Sequence, residues 1–180
     1  MACWRHPLWV LCLAAALLAG CQRSAPPSAD SAAEAGSSSP ASALDATLPQ
    51  VGRGQLRFVE GFRAGLDLAE REGKPMLVFF TAPWCRYCHE MADEAFTHQQ
   101  VVLLSERFVC VLVDADREPQ VCSEFRVRGY PTVQFLSPLG ISLNRVVGKQ
   151  TGHQFVIEMQ AALQAVARRQ LQTADSSRGY

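Results

Sequence analysis

Two cysteines separated by two residues, Cys85 and Cys88, are the strongest candidates for chemistry in this sequence. At the start of a helix, this spacing lets the two sulfurs face one another and close a short disulfide. The N–H groups at a helix N-terminus favour the thiolate of the first cysteine, and the neighbouring Arg86 adds a positive charge. We therefore predict thiol–disulfide exchange, in which Cys85 is the attacking nucleophile and Cys88 resolves the mixed disulfide.

Three other roles are open to the same pair. A static disulfide would stabilise the fold little, because so short a loop constrains the unfolded chain only weakly. Half of a zinc site is disfavoured because no second C-x-x-C and no H-x-x-x-H follows, so we predict no metal ligands. The run from Cys85 to His89 also matches C-x-x-C-H, the attachment motif of c-type haem, for which Met91, Met159 or His153 would be the second axial ligand.

Apolar runs and turn residues on either side of the pair predict the elements that must position it. Helices are predicted over 59–73, 85–96, 99–105, 118–127 and 152–169, and strands over 76–81, 107–113, 132–137 and 142–147. The strand over 76–81, MLVFFT, is a continuous apolar run of the kind that is buried on both faces of a sheet. Strands and helices alternate before a final hairpin, so we predict an α/β domain with a central mixed sheet and helices on both faces.

Two separated motifs give the chain a resemblance to a known family. Trp84-Cys85-Arg86-Tyr87-Cys88 follows a predicted buried strand, and Arg128-Gly129-Tyr130-Pro131-Thr132 precedes the hairpin. In this order they resemble thioredoxin, over nearly all of 58–169, and the chain is most similar to exported, reductant-type thioredoxin domains. The resemblance implies the thioredoxin fold, a thiol:disulfide oxidoreductase of the protein-disulfide reductase or isomerase type, and no cofactor.

The resemblance also implies a substrate groove beside the cysteine pair. A cis peptide bond is expected before Pro131, and Tyr130 would offer its backbone to an extended substrate segment by strand addition. Trp84, Arg86 and Tyr87 complete the predicted groove. A packing role is equally open to Trp84, and a plain turn is the alternative for the segment around Tyr130.

The chain departs from thioredoxin beneath the pair. Thioredoxins that reduce cytosolic targets carry a buried Asp at the position that is six residues before Cys85 here, and this chain has Phe79 there. That Asp is thought to help deprotonate the resolving thiol, so Cys88 would rely on water or would resolve more slowly. The intervening Arg86-Tyr87 matches neither the Gly-Pro of thioredoxin nor the Pro-His of the strong periplasmic oxidant. The dipeptide therefore predicts no particular reduction potential.

Two further cysteines, Cys110 and Cys122, fall in a predicted strand and in the helix that follows it. They could form a second disulfide in an oxidising compartment if their Cβ atoms approach within about 4.5 Å. The alternative that we favour is two small buried thiols that pack as hydrophobic side chains.

The N-terminal segment has the features of an export signal. Arg5 and His6 precede an apolar run over 8–19, which is too short to span a bilayer of about 30 Å but suits a signal peptide. The segment ends in Leu18-Ala19-Gly20-Cys21, which resembles the lipobox of bacterial lipoproteins, so we predict a signal peptide over 1–20 and lipidation of Cys21. An ordinary signal peptide, cut near Ala19 or Gly20 and leaving Cys21 as a free thiol, is the alternative. The residue after the lipidated cysteine is Gln22. Asp at this position would favour the inner membrane, so Gln22 favours the outer membrane.

The rest of the chain divides into a tether, a domain and a tail. Residues 21–50 are dominated by Ser, Ala and Pro and predict a flexible spacer after the lipidated cysteine. The folded domain is predicted over 51–171, and a disordered tail over 172–180. We therefore expect a lipid-anchored protein of the bacterial cell envelope, with its domain in the periplasm.

Composition and length limit the partners. The 180 residues have room for one domain, and 17 Lys and Arg balance 17 Asp and Glu, so no basic excess is available for nucleic-acid phosphates. We expect a monomer that exchanges disulfides with exported proteins, more in the reducing than in the oxidising direction. A membrane thiol donor would reduce the pair again, or an acceptor would oxidise it. A non-catalytic module that holds an exported client in the groove is the alternative.

Overall fold

A single mixed sheet forms the centre of the computed structural model, which describes residues 48–176. Its strands are β1 (Gln50–Arg53), β2 (Leu56–Glu60), β3 (Met76–Thr81), β4 (Val109–Asp114), β5 (Thr132–Leu136) and β6 (Ser142–Val147). They lie side by side in the order β1-β2-β4-β3-β5-β6. β2, β4 and β3 run parallel, whereas β1, β5 and β6 are antiparallel to their neighbours. The predicted mixed sheet is confirmed.

Helices cover both faces of this sheet. They are α1 (Phe62–Glu72), α2 (Arg86–Glu94), α3 (Gln99–Ser105), α4 (Pro119–Glu124) and α5 (Gly152–Ser176). Side chains of α2, α3 and α5 join the hydrophobic cluster that contains Cys85, Cys88 and Phe155, which we call the disulfide-side core. Side chains of α1 and α4 join a second cluster, which contains Leu68 and Cys122 and which we call the opposite core.

Strand β3 lies at the centre of the sheet and is buried on both faces. Leu77 and Phe79 belong to the disulfide-side core, and Val78 and Phe80 belong to the opposite core, as the alternation of side chains along a strand requires. β3 pairs with β4 on one edge and with β5 on the other. Its bounds match the predicted strand, because an uninterrupted apolar run is the usual signature of a strand with no exposed face.

The helix predicted over 59–73 is present but begins at Phe62, so its predicted start is wrong, and two strands that the sequence did not predict come before it. Val59 pairs with Val111 and Glu60 with Leu112, both in β4. β1 pairs with β2 on its other edge, and Gly54 in the connecting turn has a φ of +57°, which favours glycine. Because β2 is stabilised by pairing with a strand much later in the chain, local periodicity did not reveal it.

Helix α1 begins only after Gly61, whose φ of +92° separates it from β2. The N-cap residue, Gly61, has no side chain that could accept a hydrogen bond from the helix. The backbone N–H of Phe62 donates instead to Oε2 of Glu118 at 3.0 Å. The helix ends at Glu72, directly before Gly73, as the predicted stop requires. A carboxylate from a distant segment, rather than a local side-chain cap, therefore satisfies the first N–H group of this helix.

Helix α4 is shorter than the predicted 118–127 because the backbone turns away at its C-terminus. Arg126 has a φ of +51°, a left-handed value that a right-handed helix does not contain. The guanidinium of Arg145 on β6 donates to the carbonyl oxygen of Phe125 and so satisfies the end of the helix. Elsewhere α3 and β6 have the predicted bounds, and α2, β4 and β5 differ from prediction by at most about two residues.

Helix α5 is longer than predicted. The sequence predicts its end at residue 169 and a disordered tail over 172–180, but the helix continues to Ser176, so the tail prediction is wrong for 172–176. No Gly or Pro interrupts this stretch, and it contains several good helix formers. The Thr173 hydroxyl also donates to the carbonyl oxygen of Arg169 at 3.0 Å.

The predicted signal peptide, the lipidation site Cys21 and nearly all of the tether lie outside the described residues. β1 begins at Gln50, the last residue of the predicted tether. Within residues 48–176, no helix is both long enough and apolar enough to cross a bilayer.

Gly65 of α1 provides a test of how this helix packs on β4. A Cβ atom at Gly65 would lie 2.2 Å from Cγ2 of Val111. Because overpacking a filled core costs about 1–3 kcal/mol, we expect Gly65→Ala to lower the free energy of unfolding by that amount, measured by urea denaturation. The matched control is Gly52→Ala in β1, where nothing lies within 4 Å of the added atom and the expected change is below about 0.5 kcal/mol. Equal losses in the two variants would contradict the described packing.

Candidate active site

The chain turns sharply between β3 and α2, and Cys85 lies at the end of this turn. The backbone N–H of Cys85 donates to the carbonyl oxygen of Ala82 at 3.0 Å. Pro83 occupies the second position of the turn, where its fixed φ is favourable. Cys85 is then the N-cap residue of α2. The local sequence therefore places the first cysteine at a helix N-terminus, as predicted.

Cys85 and Cys88 are joined by a disulfide with an S–S distance of 2.04 Å and a Cα–Cα distance of 5.3 Å. The backbone N–H of Cys88 donates to Sγ of Cys85 at 3.2 Å. Once the disulfide is reduced, such a donor stabilises a thiolate at this sulfur. Cys85 is 6% exposed and Cys88 only 1%. A substrate therefore reaches Cys85 first, which fits attack by Cys85 and resolution by Cys88.

Arg86 contributes less positive charge to the site than its place in the sequence predicts. Its Nε lies 2.8 Å from Oε1 of Glu90, one turn further along α2, and the Arg86 side chain is 86% exposed. The pKa of Glu90 is lowered, first by the hydrogen bond from Arg86 and then by the hydrogen bond from Lys149. Because the carboxylate and water both screen the guanidinium, the N–H groups of α2 remain the main source of thiolate stabilisation.

Lys149, in the loop after β6, belongs to the same group of charges. Its Nζ lies 3.3 Å from Oε2 of Glu90 and 3.2 Å from Oε2 of Glu94. Hydrogen bonds to Glu94 and then to Glu90 raise the pKa of Lys149. Sequence reasoning missed the roles of Glu90, Glu94 and Lys149. The i to i+4 spacing of Arg86 and Glu90 is a usable signal, but Lys149 is 59 residues from Glu90 and only the fold brings it to α2.

The position beneath the disulfide is apolar, as the sequence predicts. Phe79 is fully buried, and its ring packs edge-on against Phe96 with 5.0 Å between the centroids. Among residues whose exposure is described, the buried polar side chains are two threonines, one glutamine and one serine, with no carboxylate. In this part of the chain no buried acid is available to take a proton from the Cys88 thiol.

Aromatic side chains border the disulfide at the surface. The rings of Trp84 and Tyr130 meet edge to face, with 5.7 Å between their centroids. The indole N–H of Trp84 donates to Oδ1 of Asp116 at 3.3 Å, and 67% of Trp84 is exposed. Trp84 therefore has a surface position suited to a groove, rather than a core packing role. Its contact with Tyr130 brings the loop before β5 next to Cys85.

The loop before β5 holds the predicted Pro131. The Tyr130–Pro131 peptide bond is cis, and the carbonyl oxygen of Pro131 accepts from the backbone N–H of Gly148 at 2.8 Å. Pro131 itself is buried. The other two predicted groove residues, Arg86 and Tyr87, are exposed on the first turn of α2, Tyr87 at 60%.

Cys110 and Cys122 are free and buried, as we favoured, and the alternative of a second disulfide is wrong. Cys110 belongs to the disulfide-side core and Cys122 to the opposite core, so the sheet lies between their side chains. Burial raises the pKa of Cys110 to about 12. Burial is also the main cause of the raised pKa of Cys122. Both thiols are protonated and unreactive near neutral pH.

The positions of the proposed axial ligands give no support to the haem alternative. His89 is exposed on α2, and His153 is exposed on the first turn of α5. Met91 and Met159 are fully buried among the aromatic side chains of the disulfide-side core. Within residues 48–176, no three His, Cys, Asp or Glu side chains are grouped closely enough to hold a metal ion.

This architecture matches that of known proteins. Residues 57–138 match a family model described as thioredoxin-like. They form a thioredoxin-like domain. The chain superposes on the solution structure of a thioredoxin from Thermus thermophilus with 28% identity and a TM-score of 0.52, covering 56% of this chain and 82% of that one. The DsbH oxidoreductase, with 21% identity and a TM-score of 0.51 over 58% of this chain and 82% of its own, has the same fold. The predicted thioredoxin fold is confirmed.

Curated relatives of the thioredoxin-like domain are longer proteins. Protein disulfide-isomerase A2 of Mus musculus is 42% identical over 72 residues, which are 39% of this chain and 14% of the relative. The chloroplastic thioredoxin-like protein HCF164 of Arabidopsis thaliana is 36% identical over 93 residues, which are 52% of this chain and 35% of the relative. The chain therefore spans 14% to 35% of the length of these two relatives.

Glu90 provides a test of the charges around Cys85. In the reduced protein, Glu90→Gln would leave Arg86 and Lys149 less compensated, so we expect a lower thiol pKa at Cys85 and alkylation by iodoacetamide about twofold faster at pH 6. The difference should vanish in 1 M NaCl, because the charges are exposed. Glu94→Gln is the matched control, since Glu94 contacts Lys149 but not Arg86. Slower alkylation of the Glu90→Gln variant would contradict this account.

Proposed function

We propose that the protein is a thiol:disulfide oxidoreductase that acts on exported proteins, mainly in the reducing direction. The observation that carries the proposal is the Cys85–Cys88 disulfide, in which Sγ of Cys85 lies at the N-terminus of α2 and accepts a backbone hydrogen bond. A helix N-terminus lowers the pKa of a thiol and makes the thiolate available near neutral pH. The adjoining Trp84 and Tyr130 rings offer an aromatic surface to a substrate segment.

The proposed reduction passes two electrons from the dithiol to a substrate disulfide. The Cys85 thiolate attacks one substrate sulfur, which forms a mixed disulfide and releases the other substrate sulfur as a thiolate. The Cys88 thiolate then attacks Sγ of Cys85, which closes the disulfide seen here and releases the second substrate thiolate. The substrate takes up the two protons that the dithiol has lost. The same steps in reverse oxidise a substrate dithiol.

The proposal requires a redox partner. Each round of the proposed reduction leaves Cys85 and Cys88 as a disulfide, so a further round needs an external dithiol. We assign this role to a membrane thiol donor, or to an acceptor if the direction is reversed. The balanced charge of the chain supports protein clients rather than nucleic acid, and we take the protein to act as a monomer.

The proposed location is the bacterial cell envelope, with the domain in the periplasm. It is supported by the apolar run over 8–19, the lipobox-like Leu18-Ala19-Gly20-Cys21 and the Ser-, Ala- and Pro-rich tether. Gln22 after the lipidated cysteine favours an anchor in the outer membrane over one in the inner membrane. On this proposal, the tether lets the domain reach clients away from the membrane surface.

The reduction potential of the purified chain tests the direction. Thiol trapping with mass detection across a glutathione series yields the potential and identifies the cysteines that react. We expect Cys85 and Cys88 to titrate together near the roughly −270 mV of thioredoxin, whereas a value near the roughly −120 mV of a strong oxidant would support disulfide donation instead. Cys110 should remain unmodified, because burial keeps it protonated. If the pair never titrates, the oxidoreductase proposal fails.

Substitution of each cysteine of the pair separates their roles. Cys88→Ser should accumulate mixed disulfides between Cys85 and client proteins, because the resolving thiol is lost, and Cys85→Ser should accumulate none. Non-reducing electrophoresis with and without dithiothreitol measures this. Replacement of both cysteines distinguishes the client-binding alternative: a binding module would keep its cellular phenotype, and an oxidoreductase would lose it.

Cys21→Ser tests the anchor. In a double-membrane bacterium, the wild-type chain should sediment with outer-membrane vesicles and carry a lipid mass on residue 21. The variant should appear in the soluble periplasmic fraction, because it lacks the thiol that would carry the lipid. An unlipidated wild-type chain in the soluble fraction would favour the ordinary signal peptide.

A further inference from the structure

The loop between β6 and α5 (residues 148–151, here called the β6–α5 loop) is held to the segment that contains Pro131. The backbone N–H of Gly148 donates to the carbonyl oxygen of Pro131 at 2.8 Å, and the preceding Val147 pairs with Thr132 in the sheet. Gly148 has a φ of +86°, a left-handed value that favours glycine and turns the chain out of the strand. The first residue of the β6–α5 loop is therefore fixed to the segment before β5.

Lys149, the next residue of this loop, reaches the helix that follows Cys85. Its Nζ lies 3.3 Å from Oε2 of Glu90 and 3.2 Å from Oε2 of Glu94, two carboxylates one turn apart on α2. Carboxylates at i and i+4 on a helix repel each other, and an ammonium group in contact with both offsets this repulsion. The Lys149 side chain is 34% exposed, against 86% for Arg86, so water screens its ion pairs less.

These contacts join two segments that border the disulfide. α2 has Cys85 at its N-terminus, and the loop before β5 contains Pro131. The two aromatic rings described above are one link between these segments. The ion pairs of Lys149 and the hydrogen bond of Gly148 form a second link, which runs from α2 through the β6–α5 loop. The position of Pro131 relative to α2 therefore depends on Lys149 as well as on the sheet.

We propose that Lys149 is a positioning residue for client binding, because its two ion pairs with α2 hold the β6–α5 loop, and with it Pro131, beside the cysteine pair. The inference rests on the oxidoreductase function proposed above and deepens it. A surface whose two sides are fixed in advance costs a client less conformational entropy on binding than a surface that must first be ordered. Lys149 therefore acts on the affinity for protein disulfides.

A positioning role and a purely electrostatic role of Lys149 predict different results. If Lys149 holds the loop through its carboxylate partners, loss of either side of the ion pairs loosens the loop. Lys149→Met and the double variant Glu90→Gln/Glu94→Gln then both weaken client binding. If Lys149 acts only through its charge, the first variant removes positive charge and the second removes negative charge, so their effects on client binding have opposite signs.

The test compares KM and kcat for reduction of insulin, with dithiothreitol as donor, in the full chain. Lys149→Met and Glu90→Gln/Glu94→Gln should each raise KM about twofold to fivefold, as expected for the loss of partly exposed ion pairs, and change kcat by at most about twofold. Lys149→Arg keeps the charge and can contact both carboxylates, so it should restore most of the affinity. Addition of Lys149→Met to the double variant should raise KM no further, because the interaction is already lost.

Lys74→Met is the matched control. Lys74 also follows a glycine with a left-handed φ, Gly73, and it forms an ion pair with Glu72 at 2.8 Å. It lies just before the first residue of β3, whereas Cys85 lies beyond the last, so the two are at opposite ends of the strand. Lys74→Met should therefore leave KM unchanged.

Two further measurements separate the position of the loop from the reactivity of the thiol. Deuterium exchange at the amide of Gly148, followed by NMR, should be about twofold to fivefold faster in Lys149→Met and in the carboxylate double variant, and unchanged in Lys74→Met. The reaction with hydroxyethyl disulfide, a small neutral molecule, reports the Cys85 thiolate without a client surface. Its rate should fall in Lys149→Met and rise in the double variant, by at most about twofold, because the charges change in opposite senses.

The outcomes separate the two proposals. If the wild-type chain does not reduce insulin, the oxidoreductase proposal fails, and exchange at Gly148 still decides whether Lys149 holds the loop. If the wild-type chain is active but Lys149→Met keeps its KM, or if the two variants move KM in opposite directions, the positioning role is overturned. Unchanged exchange at Gly148 in Lys149→Met also overturns it. Should Lys149→Met fail to fold, the carboxylate double variant removes the same ion pairs and decides the question by its KM.

Discussion

Burial of β3 on both faces is the constraint on which the rest of the structure depends. Its side chains fill the disulfide-side core and the opposite core alternately, and both of its edges are hydrogen-bonded to neighbouring strands. A strand held in this way cannot slip by one residue without exchanging its two faces. The end of the strand at Thr81, the turn at Pro83 and the N-terminus of α2 at Cys85 are consequently fixed relative to the sheet.

The reactivity of the disulfide is controlled from the surface more than from the interior. Beneath it lies Phe79, which offers no charge and no proton acceptor. Around it lie the N–H groups of α2 and the exposed group of Arg86, Glu90 and Lys149. Surface charges are screened by salt, whereas the N–H group that bonds Sγ of Cys85 is part of the fold. The backbone N–H groups of α2 therefore make the main contribution to the reactivity of Cys85, and the surface charges modify it.

The aromatic surface beside the disulfide is assembled from segments that are far apart in the sequence. Trp84 comes from the turn after β3 and Tyr130 from the loop before β5, and the indole N–H of Trp84 donates to Asp116 in the segment after β4. The helices and strands hold a small number of side chains at fixed angles, and the loops carry the exposed aromatic side chains beside the disulfide.

The sequence by itself determined β3, the start of α2 and the Cys85–Cys88 pair, because each follows from residues that are neighbours along the chain. Only the tertiary structure decided the rest. β2 was missed because it is stabilised by pairing with β4, and the contact of Lys149 with α2 depends on the return of the chain after β6. Whether Cys110 could reach Cys122 depended on which face of the sheet each side chain occupies. That is set by strand register and helix packing, which join residues far apart in the sequence and leave no local pattern.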